Sequence, residues 1–287
     1  MFSGIGGFEL GLKQSNLEHE IIGYAEIDKY AISIYEEKFR GVKNYGDATT
    51  IRGDDLPDFD LLVGGFPCQS FSYAGHGKGL DDTRGTLFFD IARILAKKRP
   101  RYLVLENVKG LLSNDNGKTF QKILGVLTDL GYRVEWQILN SKDFGVPQNR
   151  ERVFIIGYLG NGRRRKIFPL ASQNPKPVRE ISTNIVVAPF ASIDRTEVRM
   201  NGRRFKNPGE PSFTLTGMDV HGIMFGTPPR IRRLTPIEVE RLQGFPDNWT
   251  GKLKDSQRYK TLGNAITVNV VQAIMDNIDL YKERMRW

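Results

Sequence analysis

Short apolar runs alternate with amphipathic ones along the first 158 residues. The runs at 20–26, 59–64, 102–106, 134–140 and 153–158 have the length and composition of strands. Between them, apolar residues recur at helical spacing. Ala31, Ile34 and Tyr35 do so in 30–39, Phe88, Ile91, Ile94 and Leu95 in 87–95, and Ile123, Leu124, Leu127 and Leu130 in 120–130. This alternation predicts an α/β fold, a parallel sheet with helices on both faces. Ligands bind such sheets beyond the carboxyl ends of the strands, so chemistry is expected there.

From about Gly160 the texture changes. Residues 160–230 are rich in Gly, Pro, Asn and Arg, with only short β-like pieces at 184–188 and 212–216, and read as a small, loop-rich unit. Thr235-Pro236-Ile237-Glu238 is a capping box with proline at the first helical position, so a helix starts there. Val268, Val271, Ile274, Met275 and Ile278 form one stripe of a final helix over 265–281, which is expected to return to the first unit.

Composition narrows the chemistry. The 287 residues carry a net charge of +9, which favours a polyanionic partner. Residues 160–210 hold eleven Lys or Arg against four Asp or Glu, so the excess is concentrated in the loop-rich unit. The alternative for that run is a solvated basic loop. No stretch is long and apolar enough to span a bilayer, and the opening residues lack a signal-peptide pattern, so the expected location is the cytoplasm. One cysteine and three histidines without a shared helical spacing leave no multi-cysteine zinc site, so no metal is expected.

Four segments fall at predicted strand ends. Phe2-Ser3-Gly4-Ile5-Gly6-Gly7 is a glycine-rich turn leading into a helix, where backbone can approach a ligand closely. Glu26 follows at the distance expected of a ribose-holding acid, and Asp47 could accept from an adenine amino group. The pyrophosphate fingerprint is not matched, so a nucleoside without phosphates, such as S-adenosylmethionine, fits better than a dinucleotide. Gly64-Gly65-Phe66-Pro67-Cys68 places the lone thiol just beyond a strand, where Pro67 stiffens its turn. Packing is the ordinary fate of a free cysteine, but a packing residue would sit inside the strand. The stretch after it, to Arg84, reads as a long mobile loop. Glu106, in Glu106-Asn107-Val108, ends the next apolar run, where burial would let it hold a proton. Arg150 and Arg152, in Gln148-Asn149-Arg150-Glu151-Arg152, alternate into a strand and so point to one side. Two guanidinium groups there suit a carboxylate, a phosphate or a base carbonyl.

In this order, together with Asp82-Thr83-Arg84-Gly85-Thr86-Leu87-Phe88, Arg232-Arg233-Leu234-Thr235-Pro236, Leu242-Gln243-Gly244-Phe245-Pro246 and Gly263-Asn264-Ala265, these segments resemble the motif set of the bacterial DNA (cytosine-5) methyltransferases of restriction–modification systems. The resemblance spans nearly the whole chain. It implies a Rossmann-like S-adenosylmethionine-dependent sheet, with a catalytic and cofactor-binding domain at 1–165, a target-recognition domain at 166–257, and a C-terminal helix at 258–287 returning to the first. It implies Cys68 as the nucleophile toward carbon 6 of a flipped-out cytosine in a short specific site, with Glu106 on N3 and the exocyclic amine. Arg150 and Arg152 would orient the base. Phe2, Ser3, Gly4, Gly6, Gly7, Glu26, Ile27, Asp47, Ala48, Pro67, Leu87, Asn264 and Ala265 would hold the cofactor, released as S-adenosylhomocysteine. Gln69, Ser70, Ser72, Arg84, Gln148, Thr214 and Arg232 would meet double-stranded DNA. The expected partners end with a cognate restriction endonuclease, and the expected state is a monomer.

Two departures stand out. The turn at Phe2 has no apolar run ahead of it, so the sheet's first strand is expected to be missing or shortened, with weaker cofactor binding or stability. Ile27 stands where an aromatic often stacks on adenine. Two other functions compete. A transfer-RNA cytosine-5 methyltransferase shares the catalytic core, but that branch carries a cysteine-containing recognition signature and this chain has one cysteine. A catalytically silent nucleic-acid-binding module is disfavoured by the presence of Cys68, Glu106, Arg150 and Arg152.

Overall fold

The structure is a computed structural model describing residues 1–67, 87–160, 166–171, 186–190, 206–207, 209–217, 220–225 and 230–278. The central strands are β1 (Leu61–Gly65), β2 (Tyr102–Val108), β3 (Tyr132–Asn140) and β4 (Glu151–Leu159), in the order β1-β2-β4-β3. Helices α1 (Gly7–Gln14), α2 (Lys29–Lys38), α3 (Leu87–Lys98) and α4 (Lys118–Asp129) precede or connect them.

Period-two alternation in β2 and β4 explains the layers. Leu103, Leu105, Val153 and Ile155 face Ile91, Ile94 and Leu95 of α3 and Ile123 and Leu127 of α4. Tyr102, Val104, Phe154 and Ile156 face the other way, onto Phe8 and Leu12 of α1 and onto α7 (Val268–Met275). Strands buried on both faces read as continuous apolar runs, which is why they stand out in the sequence.

The sheet is mixed rather than wholly parallel. β1 and β2 pair in parallel across the α3 crossover, while β4 runs antiparallel to both β2 and β3. The ten residues between β3 and β4 allow a direct reversal, where a parallel return needs a longer crossover. The run at 20–26 forms no strand either. It makes a single parallel bridge, Tyr24 with Asn44. Beside it, among the described residues, β1 pairs only with β2. A groove of about 600 Å³ lies between the two, lined by Leu17, Ile22, Phe59, Leu61 and Val63 among others. Residues 1–3 reach across its end: the Met1 ammonium donates to Val63 O (2.6 Å) and Ser3 N to Ala25 O (3.2 Å).

A second sheet, β5 (Val186–Phe190), β6 (Val220–Phe225) and β7 (Arg230–Arg233), is antiparallel. The piece at 212–216 is no strand beyond one bridge, Ser212 to Gln148. Helix α5 (Pro236–Leu242) begins on the expected Thr235–Glu238 capping box. Helix α6 (Asp255–Asn264) was not legible, because it is polar along most of its length and buries only Thr261, Leu262 and Gly263. It leaves α7 starting at Val268 rather than at 265.

Glu240 holds the turn between α5 and α6. It is fully buried and accepts from Asn248 N, Thr250 N, Thr250 Oγ1 and Arg258 Nη2. A carboxylate so placed is kept by its donors, and removing its charge strands Arg258. Glu240→Gln is expected to cost about 3 kcal/mol or more in urea denaturation; a loss below ~1 kcal/mol would show that the network is not stabilising.

Candidate active site and cofactor turn

Glu106 lies at the carboxyl end of β2, in register with Gly65 of β1 and Phe154 of β4. Its Oε1 is 3.0 Å from Arg152 Nε, and both side chains are largely shielded from solvent. Gly65 makes room for the pair, since a Cβ there would stand 3.1 Å from Glu106 Oε2. Burial pushes the Glu106 carboxyl above its ordinary value, with Arg152 and then Arg150 pulling it back. Burial likewise lowers Arg152 while Glu106 holds it charged. A carboxyl raised in this way holds its proton more readily than an exposed glutamate.

Asn107 faces away from Glu106 and is buried. Its Nδ2 donates to Phe66 O (2.8 Å) and its Oδ1 accepts from Val108 N (2.8 Å). It therefore ties the Phe66-Pro67 turn to the strand end that carries Glu106. The sequence showed it only as a polar residue closing an apolar run, and no role was assigned to it. Cys68, Gln69, Ser70, Ser72 and Arg84 lie outside the described residues. Pro67 is exposed beside the strand end, and Leu87 opens α3 half-buried.

The glycine-rich turn is shaped by positive φ at Phe2, Gly4 and Gly6, the last being the N-cap of α1. Glu26 serves this turn: Oε2 accepts from Gly4 N (2.8 Å), and Oε1 from Ile27 N and Asp28 N (both 2.9 Å). An anionic carboxylate already occupies these amides, which disfavours a phosphate and leaves room for a neutral or cationic nucleoside. A Cβ at Gly4 would meet nothing within 4 Å, so the turn's outer side is open. Ile27 stands 71% exposed beside it, an apolar surface ready for a planar ring. Asn44 bonds both N and O of Glu26, which brings the loop carrying exposed Asp47 and buried Ala48 alongside. Ser3 is buried under the turn, and Gly7 abuts the 264–266 segment: a Cβ on Gly7 would lie 2.6 Å from Ile266. That segment exposes Asn264 and buries Ala265. These residues fit S-adenosylmethionine.

Four of the expected residues have protein partners instead. Gln148 is fully buried, donating to Leu242 O and Gln243 Oε1 and accepting from Leu215 N, so it does not face DNA as expected. Arg150, expected to orient the base, places Nη1 on Leu215 O and Nη2 on Gly263 O and Ala265 O. Period two does not extend to it, because β4 begins at Glu151. Thr214 Oγ1 donates to Asn149 O (2.6 Å), and Arg232 forks onto Glu238. Gln243 belongs to the Leu242-Gln243-Gly244-Phe245-Pro246 segment. It is fully buried and donates to Leu262 O. Among the described residues no helix is long and apolar enough to cross a membrane, and no three His, Cys, Asp or Glu side chains gather as a metal site.

A proton-holding acid beside an arginine, one strand away from a phosphate-free nucleoside turn, is the layout of a Rossmann-like group-transfer enzyme. The model of the C-5 cytosine-specific DNA methylases matches residues 1–197 and 178–279. The type II methyltransferase M1.ScrFI of Lactococcus lactis subsp. cremoris is 40% identical over 97% of this chain and 76% of its own length. M.NgoBI of Neisseria gonorrhoeae is 40% identical over 95% of this chain and 90% of its own. Among solved structures, a Schizosaccharomyces pombe Dnmt2 methyltransferase shares the fold, with a TM-score of 0.74 and 22% identity over 96% of this chain and 95% of that one. The chain belongs to the C-5 cytosine-specific DNA methylase family, whose members methylate carbon 5 of cytosine using S-adenosylmethionine.

The raised Glu106 has a signature in stability. Its protonated form is favoured in the fold, so its contribution is full at low pH and declines as pH rises above the ordinary glutamate value of 4.5. Glu106→Gln removes this dependence. Its stability relative to the parent should therefore increase as pH rises above 4.5, on top of a constant offset from stranding Arg152. Parallel melting-temperature curves would refute the raised carboxyl.

Proposed function

We propose that this chain methylates carbon 5 of a flipped-out cytosine within a short sequence of double-stranded DNA, with Cys68 as nucleophile. The buried Glu106–Arg152 pair at the strand end, one residue from the amide that ties down Phe66-Pro67, carries this reading.

Carbon 5 of cytosine is a weak nucleophile. The Cys68 thiolate adds to carbon 6, while Glu106 hydrogen-bonds the exocyclic amine and N3 and gives N3 a proton. The ring then has enamine character, and carbon 5 forms its new bond to carbon. Loss of the carbon-5 proton expels the thiolate, N3 gives its proton back, and aromaticity returns. Arg152, 3.0 Å from Glu106, would keep it oriented and would meet the base carbonyl. When bound, S-adenosylmethionine supplies the methyl group as a sulfonium. Phe2, Ser3, Gly4, Gly6, Gly7, Glu26, Ile27, Asp47, Ala48, Pro67, Leu87, Asn264 and Ala265 would hold it, and loss of its methyl group would leave the thioether S-adenosylhomocysteine as product. Flipping the target costs a few kcal/mol, which closure of the loop through Gln69, Ser70, Ser72 and Arg84 would offset.

Residues 1–165 would form the catalytic and cofactor unit, 166–257 the recognition unit, and 258–287 the return. The basic 160–210 stretch would meet phosphates, which supply affinity, while loops choose the sequence. Thr214 and Arg232 would add to this contact, Arg232 by exchanging Glu238 for a phosphate. Several relatives are named type II methyltransferases, which supports a place in a restriction–modification system. The protein would act there as a monomer, beside a cognate endonuclease.

Incubated with labelled S-adenosylmethionine, the protein should label DNA and not RNA, at one cytosine of a fixed short sequence. Cys68→Ser should abolish transfer and leave DNA affinity unchanged. Labelling of RNA alone, or an active serine variant, would overturn the reading. DNA binding should also weaken by about 10³-fold between ~50 and ~200 mM salt if six phosphates are neutralised; a flat response would contradict a phosphate-dominated interface.

A further inference from the structure

Arg150 is 3% exposed and sits immediately before β4, two residues from the arginine on Glu106. Its Nη1 donates to Leu215 O at 2.6 Å, and its Nη2 to Gly263 O at 3.2 Å and Ala265 O at 2.8 Å. A guanidinium is the one side chain that can reach three carbonyls from two directions while staying planar and charged. Those carbonyls belong to two separate segments. Leu215 follows Thr214, whose hydroxyl is also bound to this strand's approach, at Asn149 O. Gly263–Ala265 precedes Ile266, which packs against Gly7 of the glycine-rich turn. Gln148, two residues earlier, touches only the first side directly, at Leu215 N, and meets the second only through Gln243, whose Nε2 donates to Leu262 O and Ala265 O.

We infer that Arg150 is a positioning residue, a clamp that sets the DNA-side segment at Leu215 and the cofactor-side segment at 263–265 against the strand carrying Arg152. It does not touch the base. Gln148 holds the DNA-side segment directly and has no direct contact with the cofactor-side one. The inference rests on the proposed function, because it takes Thr214-Leu215 to lie toward DNA and Asn264-Ala265 toward S-adenosylmethionine.

The two residues give different kinetic signatures. Arg150→Lys keeps a positive charge but cannot span three carbonyls. It should raise KM for DNA and KM for S-adenosylmethionine by about tenfold each, the scale of one lost charge-assisted hydrogen bond, with kcat within about threefold of the parent. Gln148→Leu should raise KM for DNA similarly and leave KM for S-adenosylmethionine unchanged. Melting curves establish that each variant is folded; should the lysine variant not fold, Arg150→Gln carries the same test. A fall in kcat with both KM values unchanged would place Arg150 on the base and overturn the inference. So would a parallel rise of both KM values in both variants, which marks general loosening, or failure of both Arg150 variants to fold. Absence of methyl transfer by the parent protein would instead reject the proposed function.

Discussion

The site is organised around one carboxylate taken out of water beside one guanidinium. Glu106 and Arg152 meet at 3.0 Å where β2 and β4 end together. Either charge alone at that depth would be strongly unfavourable, so each fixes the other's state. The pair constrains its surroundings. Position 65 leaves little room for a side chain, Asn107 turns inward, and β4 lies between β2 and β3 and so brings Arg152 across. Burial raises the Glu106 carboxyl while Arg152 pulls it back, and the proposed role toward N3 of cytosine rests on that balance.

From that end of the sheet, polar contacts run outward through a buried seam. Arg150, Gln148 and Gln243 join the approach to β4 with Leu215, Leu242 and the 262–265 stretch. Thr267 extends it, donating to Gln243 and sharing a hydrogen bond with Ser141 at the end of β3. Buried networks of this kind are costly when any member is left unpaired, so they hold segments in one arrangement. Here they join parts of the chain more than sixty residues apart.

Much of the fold was legible because both faces of β2 and β4 are buried, so their apolar runs are unbroken. The direction of β4 was not, because apolar content carries no information about the neighbour a strand chooses. The 20–26 run looked like a strand but lies at the edge of a groove with one bridging partner, and composition cannot show that. At the site, Glu106 could be picked out as a charged residue closing an apolar run, Arg152 as one opening the next, and Glu26 by its distance from the glycine turn. The protein partners of Gln148 and Arg150 were not legible, since those at Leu215, Gly263 and Ala265 are backbone groups, which leave no trace in residue type. Asn107 escaped for the same reason: its partner is the carbonyl of Phe66.

The most direct test of the account is to trap the covalent step. DNA carrying 5-fluorocytosine at the target position has no carbon-5 proton to lose, so an adduct once methylated cannot release its sulfur. Incubated with S-adenosylmethionine and this DNA, the protein should form a complex stable to denaturant, and mass spectrometry of its peptides should place the methylated base on Cys68. No adduct on the target sequence, or one at another residue, would contradict the account.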